Sequence, residues 1–316
     1  MHTPVVLIFF NQPTFTRRVF ETIRAARPPK LFLIADAGRN QAEAARIAEC
    51  RAIVEAVDWP CEVATNYAPQ NMGPRARLSS GITWAFSQVD RAIIFEHDCL
   101  PHPSFFTFCE ELLEKYQDDE RVMHIGGSNF GQGNRNFTCP DSYYFSLVPQ
   151  IWGFATWARA WKHYDVDIKS WPEVKRSRTL AGILQDPAVL ERWERRFDQY
   201  HTGEAQSWDG QWAFACLVNR GLSVTPCVNL VSNIGFGPEA FTTKDPSSRF
   251  ANVPLQEMHF PLRHPAHLEA SAAADAYAFK YIFDVNRTVG QRARWFFRSR
   301  FHGAYAWLKS LTKTSS

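Results

Sequence analysis

The chain predicts an α/β fold: a mixed, mostly parallel sheet with helices on both faces. Three observations lead there. Continuous apolar runs of strand length recur at Val5 to Phe10, Leu31 to Ala35 and Ala92 to Phe95, as expected for strands covered on both sides. The stretches between them repeat apolar residues three and four apart, the helical period. Acids or a glycine follow two of these runs, Asp36-Ala37-Gly38 and Glu96-His97-Asp98, at the carboxyl ends where open α/β sheets bind ligands.

Val5 to Phe10 is the first strand. Asn11-Gln12-Pro13 starts a helix with proline at or near its first position, where the missing N–H has no partner to lose, and Phe15, Val19 and Ile23 share one face. Leu31 to Ala35 is the second strand. A helix from about Gln41 to Val57 leads to a weaker third strand near Glu62 to Thr65 and the loop Asn66 to Met72. Gly73-Pro74-Arg75-Ala76-Arg77 then opens a helix carrying Leu78, Ile82, Ala85 and Val89, which delivers the chain to the strand at Arg91. Four strands with intervening helices form a βαβ series with right-handed crossovers.

Pro103 begins a helix with Phe105, Cys109, Leu112 and Tyr116 on one face, Arg121 to Gly126 is a further strand, and Gly126 to Asn136 is a loop. From Tyr143 the chain turns aromatic. Gln150 to Trp161 reads as a strand passing into a helix, on which Trp157 and Trp161, four apart, share a face that reads as core packing first and as a sugar platform second. A polar helix from about Asp186 to Tyr200, a helix opened by Ser207-Trp208-Asp209-Gly210-Gln211-Trp212, a strand from Leu222 to Leu230 and a glycine loop from Ser232 to Gly237 complete the pattern.

At 316 residues, 45% of them hydrophobic, the chain can bury the core of one large or two modest domains. A net charge of +3 is too small and too dispersed to make nucleic acid a partner. Seven cysteines, without a C-x-x-C pair, indicate neither a disulfide framework nor a zinc site, so reduced and mostly buried thiols are expected. The first strand is reached without the basic region of a signal peptide, and no apolar run has membrane-spanning length. A cytosolic protein of bacterial type is the expectation.

Arg91 to Pro101 carries the most chemistry. If the strand period persists past Phe95, Glu96 and Asp98 project to the same side. Two carboxylates facing one way repel each other unless a cation lies between them, and oxygen ligands suit Mg²⁺ or Mn²⁺, which usually also hold a substrate phosphate. The same residues also read as a polar strand end whose acids cap the next helix. Asp209 has two readings as well. It is a first-turn acid favoured by the helix dipole, or a carboxylate held rigidly at a pocket edge and able to accept a proton. The paired glycines of Ser232 to Gly237 are weak evidence for phosphate contact.

Taken in order, these pieces resemble the GT-A class of nucleotide-sugar glycosyltransferases, in particular bacterial relatives of the N-acetylglucosaminyltransferase I type. The resemblance covers roughly Val5 to Thr243. Val-Leu-Ile-Phe-Phe-Asn-Gln-Pro is similar to the first strand and nucleotide loop, which implicates Phe10 and Asn11, and Asp36 falls where the family's second acid contacts the nucleoside. Asn71-Met72-Gly73 and the following basic helix resemble the donor-binding segment, so Asn71, Gly73, Arg75 and Arg77 join the donor set. Glu96-His97-Asp98 stands where the family carries its metal-binding acidic triplet, commonly Glu-Asp-Asp, with Asp98 and Glu96 as ligands and His97 replacing the middle acid. Asp209 stands where the catalytic acid opens a helix. Trp152, Gly153 and Trp208 are the expected acceptor contacts. A late histidine of the family pattern is replaced by Glu239-Ala240-Phe241-Thr242-Thr243, and His259, His264 or His267 are the candidates to substitute for it.

The resemblance implies a donor-binding part at about 1–130, an acceptor and catalytic part at about 131–260, and a C-terminal extension at 261–316. It implies Mn²⁺ or Mg²⁺, a UDP-sugar as the first-choice donor, a saccharide or lipid-linked acceptor, and inversion with Asp209 as base. Asn286 to Ser316 interleaves seven Arg and Lys with Trp295, Phe296, Phe297, Phe301, Tyr305, Trp307 and Leu308 and has no acid, the composition of a segment that lies on an anionic membrane at the inner face of the cell membrane, or of a terminal helix docked on the domain. A non-catalytic protein that binds sugar nucleotides on the same fold is the alternative. A nucleotidyltransferase should carry a glycine-rich basic loop after its first strand, and Phe10-Asn11-Gln12-Pro13 is not one.

Overall fold

In the computed structural model, which describes residues 1–131, 139–237, 240 and 244–283, the first hundred residues form the expected repeats. They run β1 (Val5–Phe9), α1 (Pro13–Ala26), β2 (Lys30–Ala35), α2 (Gln41–Val54), β3 (Glu62–Tyr67), α3 (Gly73–Phe86) and β4 (Arg91–Glu96). After them come β5 (Cys99–Pro101), α4 (Ser104–Lys115), β6 (Val122–Gly126), β7 (Tyr143–Ser146), β8 (Phe154–Trp157) and α5 (Ala158–Trp161). The rest is α6 (Trp171–Arg176), α7 (Pro187–His201), α8 (Asp209–Val218), β9 (Leu222–Pro226), β10 (Val231–Asn233) and α9 (Ala272–Tyr277), which widens into a π-helical turn at Ala278–Ile282.

Eight strands form one sheet in the order β3-β2-β1-β4-β8-β6-β9-β7, and β5 pairs with β10 in a separate antiparallel ribbon. The links β2–β3, β1–β2, β1–β4 and β6–β9 are parallel, while β8 and β7 enter antiparallel. The sheet is therefore mixed and mostly parallel. Strand alternation divides its core. Val5, Leu7, Phe9, Leu31, Leu33, Ile93 and Phe95 pack with α1, α2 and α4, whereas Val6, Ile8, Phe32, Ile34, Ala92 and Ile94 pack with α3 and α8. A third apolar cluster, with Trp171, Trp193, Phe197 and Phe214, joins α6 and α7 to α8.

Four expectations change. Trp157 and Trp161 are both buried, but Trp157 ends β8 and donates its indole N–H to Leu113 O on the α4 side, while Trp161 donates to Thr83 Oγ1 on the α3 side. A strand puts its residues on opposite faces, so a spacing of four across a strand-to-helix junction does not define a shared face. The strand expected from Leu222 to Leu230 stops at Pro226, which faces Tyr143 at the end of the β7–β9 ladder, and resumes as β10. Trp208 and Gly153, expected at the acceptor, are buried. Lastly, Cys139 and Cys227 form a disulfide with Cα atoms 5.8 Å apart, within the usual range. Cys139 precedes β7 and Cys227 follows β9. The antiparallel pairing of those strands brings together two thiols 88 residues apart in sequence, so cysteine usage no longer argues for a reducing compartment.

Residues 261–283 of the expected extension pack on the domain. Ala270 bridges Phe145, and buried Asp275 accepts hydrogen bonds from Ser146 Oγ at 2.5 Å and Leu147 N at 3.2 Å, tying α9 to the end of β7. Burial pushes the Asp275 carboxyl up from 3.8 to about 6, against the pull of these two donors. Between those pH values the folded chain binds the proton that the unfolded chain has released, so this group's contribution to stability falls as pH rises through the window, by about 3 kcal/mol in total. Denaturant unfolding from pH 4 to 7 should therefore show Asp275→Asn gaining on the wild type as pH rises. A constant difference would remove Asp275 as the source.

Among the described residues no helix is long and apolar enough to cross a membrane. The basic, aromatic tail from Asn286 to Ser316 lies outside the described residues.

Candidate functional site

From β1 the chain winds outward to β2 and β3 on one side, then returns through α3 to β4 on the other. The junction of β1 and β4 is thus the topological switch point, where loops diverge and leave a crevice beyond the carboxyl ends of the strands. Ile8 of β1 lies beside Glu96, the last residue of β4, so Phe10 and Asn11 on one strand and the acidic cluster on the other flank the crevice.

The strand period does not persist beyond Glu96. His97 and Asp98 form a turn into β5. The carboxylates are nevertheless close enough to repel: burial, with the charges of Asp98 and then Asp209 adding to it, pushes Glu96 up to about 8, while the Trp208 indole N–H, donating to Glu96 Oε1 at 3.3 Å, pulls it down. All three residues of the cluster keep partial contact with solvent although protein surrounds them. His97 is held below the usual histidine range by burial, opposed by Asp98 and by a hydrogen bond to the Ile8 carbonyl. Its ring therefore braces the β1–β4 junction.

The β5–β10 ribbon brings the glycine loop onto Asp98. Asn233 pairs with Cys99, and Ile234 N donates to Asp98 O at 2.9 Å. A Cβ placed on Gly235 would overlap Asp98 Oδ2 and lie 2.7 Å from Asp98 Cβ. Glycine at 235 makes room for this carboxylate, a role that its sequence position did not announce.

Asp209 is the first residue of α8. Its side chain is 27% exposed, enough to meet a ligand, and is held by Tyr200 OH at 3.2 Å and by Arg196 Nη2 at 3.6 Å, both from α7. A Cβ on Gly210 would sit inside the Tyr200 ring, so the glycine lets that hydroxyl reach Asp209. Sequence reading missed Tyr200 and Arg196. The glycine after Asp209 was the available signal, since glycine inside a helix often marks close packing.

The expected donor residues separate into two groups. Asp36 is 7% exposed, and its carboxylate accepts from Ala37 N, Asn71 Nδ2, Met72 N and Gly73 N at 2.9–3.2 Å. It therefore caps α3 from the end of β2, and it fixes Asn71 and Gly73, whose φ of 74° suits glycine. Arg75 is held by Val166 O at 2.9 Å and Asp167 Oδ1 at 3.2 Å. Arg77, 4% exposed, donates to Ala35 O, Asn66 O and Asn66 Oδ1, joining the ends of β2 and β3. Arg77 is a strut of the fold and not an open phosphate ligand, because a buried guanidinium must satisfy its donors locally. Phe10 and Asn11 remain on the crevice rim, where Arg39 lies 5.9 Å from the Phe10 ring centre, Asn11 Nδ2 donates to Glu43 Oε1 at 3.4 Å and Arg39 pairs with Glu43.

Of the acceptor residues, only Trp152 stays partly exposed, its ring edge-on to Phe130 and Phe236. Gly153 is buried at φ 64°, and a Cβ there would press on Val231. Trp208, 3% exposed, packs against Phe154 and anchors Glu96 from below. His264 bonds Tyr143 OH through Nδ1 at 2.9 Å, and His259 and His267 are exposed; none joins the acids.

Could these residues hold a divalent cation? Among the described residues no group of three His, Cys, Asp or Glu side chains encloses one. Asp98 and Glu96 nevertheless fit a cation that takes one or two carboxylates and completes its shell with substrate oxygens and water, the usual arrangement for Mg²⁺. The mutual repulsion of the acids, which a cation between them would relieve, agrees with that donor set.

No protein-family model and no curated protein sequence matches the chain. Among solved structures it is similar to S. aureus TarS 1-349 at 10% identity, over 52% of this chain and 50% of that one, with a TM-score of 0.34. It is similar to an apo UDP-glucose pyrophosphorylase at 10% identity, over 74% and 93% with a TM-score of 0.39, and to mouse xyloside xylosyltransferase 1 at 12%, over 67% and 81% with a TM-score of 0.33. The chain thus spans half the length of the TarS fragment, and likenesses this distant bring no activity with them.

Proposed function

We propose that this protein is a metal-dependent glycosyltransferase of the GT-A type that moves a sugar from a nucleotide-diphosphate donor, a UDP-sugar first, to a hydroxyl of a saccharide or lipid-linked acceptor. The observation that carries the reading is the meeting of Glu96, Asp98 and Asp209, from the end of β4, the following turn and the start of α8, beside the switch point. A divalent cation on Asp98 and Glu96 would offset the charge that develops on the departing diphosphate. Asn71 and Gly73, fixed by Asp36, and the Phe10 and Asn11 rim would orient the nucleotide. Trp208 holds Glu96 in place, and Tyr200 and Arg196 hold Asp209. Asp209 would take the proton of the acceptor hydroxyl as that oxygen attacks the anomeric carbon, inverting it as the bond to diphosphate breaks.

The purified chain should release nucleoside diphosphate from one member of a nucleotide-sugar panel with Mn²⁺, and release should stop with a chelator. If calorimetry with Mn²⁺ finds no nucleotide sugar bound, the reading fails. Binding without release, in the presence of a range of acceptors, would favour the non-catalytic binding protein.

A further inference from the structure

Beside Phe130, whose ring packs on Trp152, is a cavity of about 380 Å³, within the range of small-molecule pockets. Phe130, Phe250, Tyr277 and Tyr281 supply its rings, and Val253 and Pro254 supply apolar wall between them. Tyr277 donates its hydroxyl to Phe130 O at 3.3 Å and lies with its ring centre 4.7 Å from that of Tyr281, which is 36% exposed. A chain of ring contacts links the lining of this cavity to the acidic cluster. Phe250 meets Phe130 at 5.1 Å, Phe130 meets Trp152 at 5.1 Å, Trp152 meets Phe236 at 5.6 Å, and Phe236 follows the glycine that packs on Asp98.

We infer that this cavity is a distal subsite for an oligosaccharide acceptor, binding a sugar ring remote from the one that is modified. The inference rests on the transferase reading and names the acceptor as a chain of sugars. Pyranose rings pair apolar C–H faces with hydroxyl rims. Tyrosines and phenylalanines offer matching flat apolar faces, and the tyrosine hydroxyls add polar edges. A row of rings leading from such a cavity to the acids suits a linear saccharide that reaches the candidate base with one end.

The test uses the full chain on an array of short neutral and anionic oligosaccharides, followed by calorimetry on those bound. Wild type should bind at least one. Tyr281→Ala, at an exposed position, and Phe250→Ala should each weaken it about tenfold, the scale on which truncated aromatic anchors act. Both should leave nucleotide-sugar binding and thermal unfolding unchanged. No bound oligosaccharide, or affinities untouched in both variants, overturns the subsite. The two readings separate in the same data: oligosaccharide binding that depends on Tyr281, without any nucleotide-sugar binding, keeps a saccharide site in this cavity but removes the transferase and with it the acceptor role. Nucleotide-sugar turnover with acceptor affinity indifferent to both substitutions does the reverse.

Discussion

Asp209→Asn is expected to bind the sugar nucleotide as the wild type does and to transfer sugar 10²–10⁴-fold more slowly, the usual range for loss of a general base. The amide has the carboxylate's shape and can still accept the Tyr200 hydroxyl hydrogen bond that now reaches Asp209 Oδ1. It cannot accept a proton. The pairing with Arg196, at 3.6 Å and partly exposed on both sides, contributes little to stability, so the variant should fold. Steady-state transfer with saturating acceptor, set beside calorimetric donor affinity, separates the two effects. Transfer within tenfold of wild type would mean that the base is another group.

Asp98→Asn should lower Mn²⁺-dependent release of nucleoside diphosphate by about 10²–10³-fold, the loss typical when one preorganised electrostatic contact to developing charge is removed. Its carboxylate faces the space left by the absent Gly235 side chain, and an amide fills that space without carrying the charge. Removing the charge also relieves part of the upward push on Glu96. A Mn²⁺ titration of donor turnover checks the prediction. An unchanged requirement for Mn²⁺ would locate the cation elsewhere, and the acids at the end of β4 would then be structural.

Much of this was legible beforehand because it depends on local pattern. Apolar runs and helical periods identified β1, β2, β4 and the helices between them, since a strand covered on both faces must be apolar throughout. Acids at strand ends drew attention to Glu96, Asp98 and Asp36 for the same reason. Asp36 nevertheless caps α3, and Arg77 spans two strand ends. Whether a charged side chain faces a ligand or satisfies neighbouring backbone depends on groups 11 to 42 residues away in sequence.

The amino-acid sequence by itself determined the α/β class, the order of the first strands and helices and the acids available for chemistry, because each follows from residue type and spacing along a short segment. Tertiary structure alone decided that Tyr200 and Arg196 hold Asp209, that Gly235 makes room for Asp98, that Trp208 supports Glu96 from the core, and that Cys139 meets Cys227. Each of these depends on the approach of segments joined by no local pattern, and only the packing of the sheet and its covering helices brings them within a few ångströms.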